Sequence, residues 1–334
     1  MPFSRLLPAW LLLSTAPFAH AQEARYGAEL EGFDYPHPVK RFTLQSQGQA
    51  LSMAYMDVPS DTPNGRTVVL LHGKNFCGAT WQQTIDALTH AGYRVVAPDQ
   101  IGFCKSSKPA AYQYSFGQLA QNTQALLASL GIERAAVVGH SMGGMLATRF
   151  ALQYPQFTTQ LMLVNPIGLE DWKAEGVPWR SVDAWNAREL KTGFDSIRAY
   201  QRDVYYSGQW KPEYERWVQM LGGMYAGRGK QAVAWSQALT SDMVFNQPVV
   251  HEFPAIRVPT TLFIGQKDRT AIGKDLAPPE LAKRLGNYPA LGRRAADAIP
   301  GATLVEFDDL GHSPQVEAPE RFHAALLEAL NAKR

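Results

Sequence analysis

The 334-residue chain is 46% hydrophobic and 19% charged, with 27 Gly, 22 Pro, 8 Trp and 2 Cys, which excludes disorder, collagen-like repeats and a disulfide-dense scaffold. Lys plus Arg number 32 against 30 for Asp plus Glu, a net charge of +2, so there is no basic field to hold nucleic acid or a membrane surface. The length suffices to bury a stable core without staples.

Taken in chain order, Arg5 supplies a positive end, Leu6 to Leu13 an apolar stretch interrupted by Pro8, and Ala19-His20-Ala21 a small-x-small pattern. This reads as a signal peptide over residues 1–21, cleaved after Ala21. The apolar stretch is shorter than the roughly 20 residues that span a bilayer. The mature chain, residues 22–334, is therefore expected in the periplasm or the medium, with no stable membrane insertion. After a polar leader, Val39 to Leu44 and Leu51 to Val58 alternate as an antiparallel pair, and Pro63-Asn64-Gly65 turns the chain. Thr67 to Leu71 is a continuous apolar run, the pattern of a strand buried on both faces of a parallel sheet. Tyr93 to Ala97, Ala135 to Val138, Gln160 to Val164 and Thr260 to Ile264 repeat it, and Thr303 to Phe307 is a weaker last member. Helical segments at Trp81 to Ala91, Phe116 to Leu130, Met142 to Tyr154 and Glu320 to Leu330 alternate with these runs. The expectation is an α/β fold, a mostly parallel sheet covered on both faces.

The alternation breaks between about 167 and 250, where Trp172, Trp179, Trp185, Trp210, Trp217 and Trp235 join Tyr200, Tyr205, Tyr206, Tyr214 and Tyr225. A helical subdomain over the sheet accounts for this segment, most of its rings packing it together and the others lining an apolar pocket. Pro248 to Pro259 reads as the return linker.

Gly139-His140-Ser141-Met142-Gly143 fits GxSxG directly after a buried strand and before a helix. A Ser in that sharp turn adopts a strained backbone that only small neighbours tolerate, which accounts for Gly139, Gly143 and Gly144. Its hydroxyl then stands at a helix N-terminus that favours a developing negative charge. A hydroxyl is a weak nucleophile and needs a base, which should follow an acid in chain order. Of the His beyond Ser141, His251 precedes the best acid and His323 falls in the last helix. His312, after the last strand in Gly311-His312-Ser313-Pro314, lies at the carboxyl edge of the sheet, where such sheets bind ligands. The acid is read as Asp268, just beyond a buried strand, with Glu170, Asp171 and Asp275 as competitors. The oxyanion needs two N–H donors. Met142 supplies one, and the His72-Gly73-Lys74-Asn75 loop the other, from Lys74 with Asn75 in reserve. The Lys74 side chain is expected in solvent, as is usual for a loop lysine.

These residues, with the Asp99-Gln100-Ile101-Gly102-Phe103 and Gly265 to Asp268 segments in the same order, resemble the α/β-hydrolase superfamily over essentially the whole mature chain. Within it the chain is similar to the capped esterase, peroxidase-like and carbon–carbon hydrolase group. The resemblance implies Ser141, Asp268 and His312 as a catalytic triad and residues 167–250 as a helical lid after the sixth strand. A serine nucleophile argues against the dehalogenases and epoxide hydrolases of the family, which use Asp. Cys104 stands where relatives usually have Gly. Strands three and four are neighbours in this fold, so Cys77 and Cys104 would sit on adjacent loops. An exported pair there implies a disulfide that stiffens the loop carrying Lys74.

The resulting expectation is an exported serine hydrolase acting through an acyl-enzyme on a small acyl substrate, apolar or aromatic, with an ester as the leading class. Carbon–carbon bond hydrolysis, lactone opening and acyl transfer would use the same residues, and a silent binding protein on this scaffold is the rival of a different kind. No cofactor is implied, since GxGxxG and GxxxxGK[ST] are absent, and no metal, since no Cys and His cluster has zinc spacing.

Overall fold

The computed structural model describes residues 23–332, so the expected signal peptide lies outside the described residues. Val39–Ser46 (β1) and Gln49–Val58 (β2) pair antiparallel with Ser46 opposite Gln49. Gln47 and Gly48 between them both have positive φ, 51° and 73°, as a two-residue hairpin turn of matching twist requires. Thr67–Leu71 (β3), Gln82–His90 (α1), Arg94–Pro98 (β4), Phe116–Ser129 (α2), Ala135–His140 (β5), Met142–Gln153 (α3) and Thr158–Val164 (β6) then alternate as anticipated. Ser115 caps α2, its side chain accepting from the Gln118 N–H at 3.0 Å.

Val182–Glu189 (α4), Phe194–Tyr200 (α5), Glu215–Ala226 (α6) and Lys230–Asn246 (α7) follow, with a π-helical turn at Gln201–Tyr205 continuing α5. This insert returns through a short 3-10 turn, Val250–Ala255, to Thr260–Gly265 (β7). Pro279–Arg284 (α8) and Tyr288–Ala298 (α9) precede Thr303–Phe307 (β8), and Pro314–Glu317 (α10) and Pro319–Asn331 (α11) end the described chain. The sheet order is β1-β2-β4-β3-β5-β6-β7-β8, antiparallel at β1-β2-β4 and parallel beyond.

Alternate residues of each central strand enter opposite cores, because successive Cβ atoms point to opposite faces. Val69, Leu71, Val137, Leu161 and Leu163 pack under α2 and α3, against Leu119 and Phe150. Val68, Leu70, Val138, Met162 and Phe263 pack against Ile85 and Leu88 of α1 and Phe322 and Leu326 of α11. Burial on both faces is why these strands read as unbroken apolar runs.

Two expectations need correction. The leader is not a polar tail: Leu30 is 0% and Phe33 7% exposed, and the Tyr26 N–H donates to the Gly223 carbonyl of α6 at 2.9 Å. Helices α8 and α9 stand where no element was expected, because α8 buries only Leu281 and α9 only Tyr288, Leu291, Gly292 and Ala295, stripes too thin to signal themselves.

The leader depends on α6 having no side chain at one position, since a Cβ on Gly223 would come 2.3 Å from the Tyr26 ring. Gly223→Ala is therefore expected to cost roughly 1–3 kcal/mol and to expose the leader to proteolysis before the remainder of the chain. Wild-type unfolding temperature and an uncut leader would refute this packing.

Candidate active site

Ser141 follows β5 directly and adopts φ 57° and ψ −122°, a strained conformation for any residue but glycine. The surroundings compel it. A Cβ on Gly139 would lie 2.1 Å from the Gly143 carbonyl, one on Gly143 2.2 Å from the Leu71 carbonyl, and one on Gly144 2.4 Å from Pro166 Cβ. The Ser141 N–H donates to the Val164 carbonyl at 3.1 Å, and the Ser141 carbonyl accepts from Gly144 and Ile167. Ser141 thus stands as the N-cap of α3, at the positive end of the helix dipole.

His312 and Asp268 arrive from the loops after β8 and β7, and both are fully buried. His312 Nδ1 meets Asp268 Oδ2 at 2.6 Å, so Nδ1 carries the proton and Nε2 is the free lone pair. Nε2 is buried and has no partner among the described residues. Asn165, just after β6, donates from Nδ2 to Asp268 Oδ2 at 2.9 Å and accepts from the Gly265 N–H at 2.9 Å, while Thr270 N–H donates to Asp268 Oδ1 at 2.8 Å. The competing acids are engaged elsewhere: Glu170 accepts from Trp172 Nε1 and the Gly286 N–H, Asp171 pairs with His251, and Asp275 with Arg180 and Arg188. His323 bonds Thr84 in α1.

Loop 72–77 lies against the serine, a Cβ on Gly73 falling 3.0 Å from Ser141 Cβ. His72 Nδ1 donates to the Gly73 carbonyl at 2.9 Å and Nε2 accepts from the Gln100 N–H at 3.0 Å. Burial pushes the His72 imidazole below its ordinary pKa, in keeping with one proton shared between these two roles. The Lys74 side chain is not in solvent. It is 12% exposed, its Nζ donating to Gln237 of α7 at 2.8 Å and pairing with Glu189 of α4 at 3.3 Å, and the Tyr225 hydroxyl donates to the same Glu189. A buried carboxylate in the insert makes burial of this ammonium tolerable, and no sequence pattern joins positions 74 and 189. Asn75 Nδ2 donates to the Tyr205 hydroxyl at 2.8 Å.

Sequence reasoning counted Tyr205 only among the rings of the insert. Its ring stacks on His312 with centroids 4.6 Å apart and planes at 28°, and its carbonyl accepts from the His312 N–H at 2.8 Å. It lies in the π-helical turn, a distortion frequent at functional sites. His140, the variable residue of GxSxG, donates from Nε2 to the His312 carbonyl at 2.9 Å, and burial holds its pKa well below the usual range. Asn165 carried a signal that could have been used, since a polar residue at the carboxyl end of a buried strand lies where ligand chemistry gathers.

Cys77 and Cys104 are joined in a disulfide, with Cα atoms 5.8 Å apart and a sequence separation of 27. Cys104 has φ 46°, in the left-handed region that favours glycine. A glycine would adopt that backbone without strain.

A family model described as alpha/beta hydrolase fold matches residues 66–319. A crystal structure of a probable hydrolytic enzyme from Pseudomonas aeruginosa PAO1 is 64% identical, with a TM-score of 0.93 over 93% of this chain and 100% of that one. A 2-hydroxy-6-oxononadienedioate/2-hydroxy-6-oxononatrienedioate hydrolase from a Pseudomonas species is 26% identical over 290 residues, 81% of this chain and 90% of that protein. An esterase from Exiguobacterium antarcticum, at 20% identity and a TM-score of 0.67 over 88% of this chain and 100% of that one, shares the fold.

Removing the disulfide as Cys77→Ala/Cys104→Ala is expected to cost roughly 3 kcal/mol through the released loop. Cys77→Ala/Cys104→Gly should recover about 1 kcal/mol of that, since glycine accepts the positive φ. Urea denaturation of both double variants checks this, and equal stabilities would disprove the backbone argument.

Proposed function

The chain belongs to the α/β-hydrolase family, and we propose that within it this protein is an exported serine hydrolase that cleaves a carboxylic ester or related acyl bond of a small apolar or aromatic substrate. The observations that carry this reading are the Asp268–His312 pair at 2.6 Å with the opposite ring nitrogen unpartnered, and a serine on a strained strand-to-helix turn at the carboxyl end of the same sheet. Ser141 Oγ attacks the carbonyl and His312 Nε2 takes its proton. Asp268 holds the tautomer and stabilises the imidazolium. The N–H groups of Met142 and Lys74 receive the developing oxyanion. His312 then returns the proton to the leaving group, and water releases the acyl-enzyme by the same steps.

Residues 167–250 act as a lid in this reading. Ser141 is 4% exposed and His312 and Asp268 not at all, so substrate enters when the insert moves aside, and closure excludes water from the acyl-enzyme. The aromatic insert supports an apolar or aromatic acyl group. Export to periplasm or medium is supported by the leader pattern of residues 1–21 and by the disulfide, a bond that persists in oxidising compartments. A second reading, carbon–carbon bond hydrolysis with the same triad, is favoured by the likeness to the oxononadienedioate hydrolase over most of both chains.

Turnover of p-nitrophenyl acetate, butyrate and octanoate, beside a vinylogous diketone, separates the two readings. Ser141→Ala is expected to lose about 10⁴-fold or more in kcat and all fluorophosphonate labelling. A variant that still labels would mean another nucleophile. Asn165→Ala, which frees Asp268 on one side, should lower kcat about tenfold or more with KM little changed, and an unaltered kcat would remove Asn165 from the positioning of the acid.

A further inference from the structure

The N–H groups of residues 311–313 and the His312 carbonyl are all held, and one of the holders is ionisable. The His312 N–H is bound by the Tyr205 carbonyl and its carbonyl by His140 Nε2. The residues on either side are bound by one carboxylate. Glu317, at the end of α10, accepts from the Gly311 N–H on both oxygens, at 3.1 and 3.0 Å, and from the Ser313 N–H on Oε1 at 3.0 Å. Gly311 has no latitude to compensate, because a Cβ there would meet the Tyr205 carbonyl at 2.2 Å.

We propose that Glu317 is a positioning residue for His312: its ionised carboxylate fixes the Gly311–Ser313 backbone and so sets the angle at which the imidazole meets Ser141. This rests on the Ser141–His312 reading above and adds to it a control by charge. A carboxylate offers acceptor lone pairs to all three N–H contacts, whereas a protonated carboxyl turns one oxygen into a donor that faces the Gly311 N–H. Charge-assisted bonds are also the stronger ones. Gain of a proton at Glu317 therefore slackens the loop without touching Asp268 or Ser141.

The surroundings place that proton in the working range. Burial pushes Glu317 up to about 7, against the pull of the Gly311 and Ser313 N–H groups, with Asp268 raising it further and His312 opposing. From the insert, Tyr206 and Tyr214 feel its charge and have phenols raised mainly by burial. Lys211 Nζ donates to its backbone carbonyl at 3.1 Å and not to the carboxylate. Arg321, four residues on, is engaged with Asp309. No cation is hydrogen-bonded to the Glu317 carboxylate among the described residues, so raising the pH through about 7 ionises it and tightens the loop.

The test compares wild type with Glu317→Gln, which keeps one acceptor oxygen and cannot ionise. In wild type the acid limb of kcat should carry an inflection near pH 7 that Glu317→Gln lacks. At pH 8.5 the variant should turn over about tenfold more slowly with KM within twofold. Nitrogen-15 signals of the His312 ring, assigned with His312→Gln, supply a readout that needs no substrate: they should shift through pH 7 in wild type and lose that step in Glu317→Gln. Ring signals that pass pH 7 without a step in wild type, or the same step in both proteins, would overturn the proposal whether or not any ester is turned over. Absence of both turnover and fluorophosphonate labelling in wild type, with the ring step present, would instead count against the hydrolase reading and leave the Glu317 control of the loop standing.

Discussion

The backbone at Ser141 passes from β5 into α3 through a φ of 57°, and the centre of the molecule is arranged to hold that turn. Such a conformation costs on the order of 1–3 kcal/mol and persists only where neighbours over-determine it. Here β5 is clamped between β3 and β6, the serine N–H is bonded to Val164, and the helix is drawn so close that Gly139 and Gly143 leave no room for a methyl group. The close approach has a chemical use. It brings the N-terminus of α3 and the Gly73 loop together at Ser141. Sheet packing and the chemistry of the serine are one constraint seen at two scales.

Three buried histidines surround that serine, and their partners separate their roles. His72 bonds a carbonyl and an N–H, and His140 bonds a carbonyl. Neither partner compensates a positive ring, and burial pushes both pKa values down, so these two imidazoles are neutral struts. Of the three, His312 alone bonds a carboxylate, a partner that favours a positive ring. His140 connects the two kinds, since the strut donates to the backbone of the third histidine. The residue beside Ser141 thus holds the backbone of His312.

The sheet was readable because burial on both faces writes itself as unbroken apolar runs, and β3 and β8 fall on the anticipated residues. Ser141, Asp268 and His312 stood out in the sequence because each follows such a run directly or in the next loop. What escaped was whatever depends on contact across long sequence separations. Lys74 and Glu189 are 115 residues apart, Asn165 and Asp268 103, and Asn75 and Tyr205 130. Nothing local distinguishes Tyr205 from the other rings of the insert, and the buried side of the leader rests on two apolar residues in a polar stretch. Short-range pattern encodes the elements, and pairing between elements is settled only when they fold together.

The consequence for the insert is that it is more than a cover. Tyr205 meets the histidine loop with its carbonyl and ring and the loop beside Ser141 with its hydroxyl, while Lys74 reaches α4 and α7 from below. On the outer side the leader binds α6 at Gly223, and its far end is tied down by the Tyr35 hydroxyl to Asp99, which also receives the N–H of Gly78 beside the disulfide. The insert is therefore anchored to the sheet domain on both its inner and outer faces. Each of these hydrogen bonds contributes about 1 kcal/mol and the ring stack a similar amount. A handful of them holds the insert against the sheet domain. Because one tyrosine serves both the fit of the insert and the pose of His312, a change that reshapes the insert will also reach that histidine.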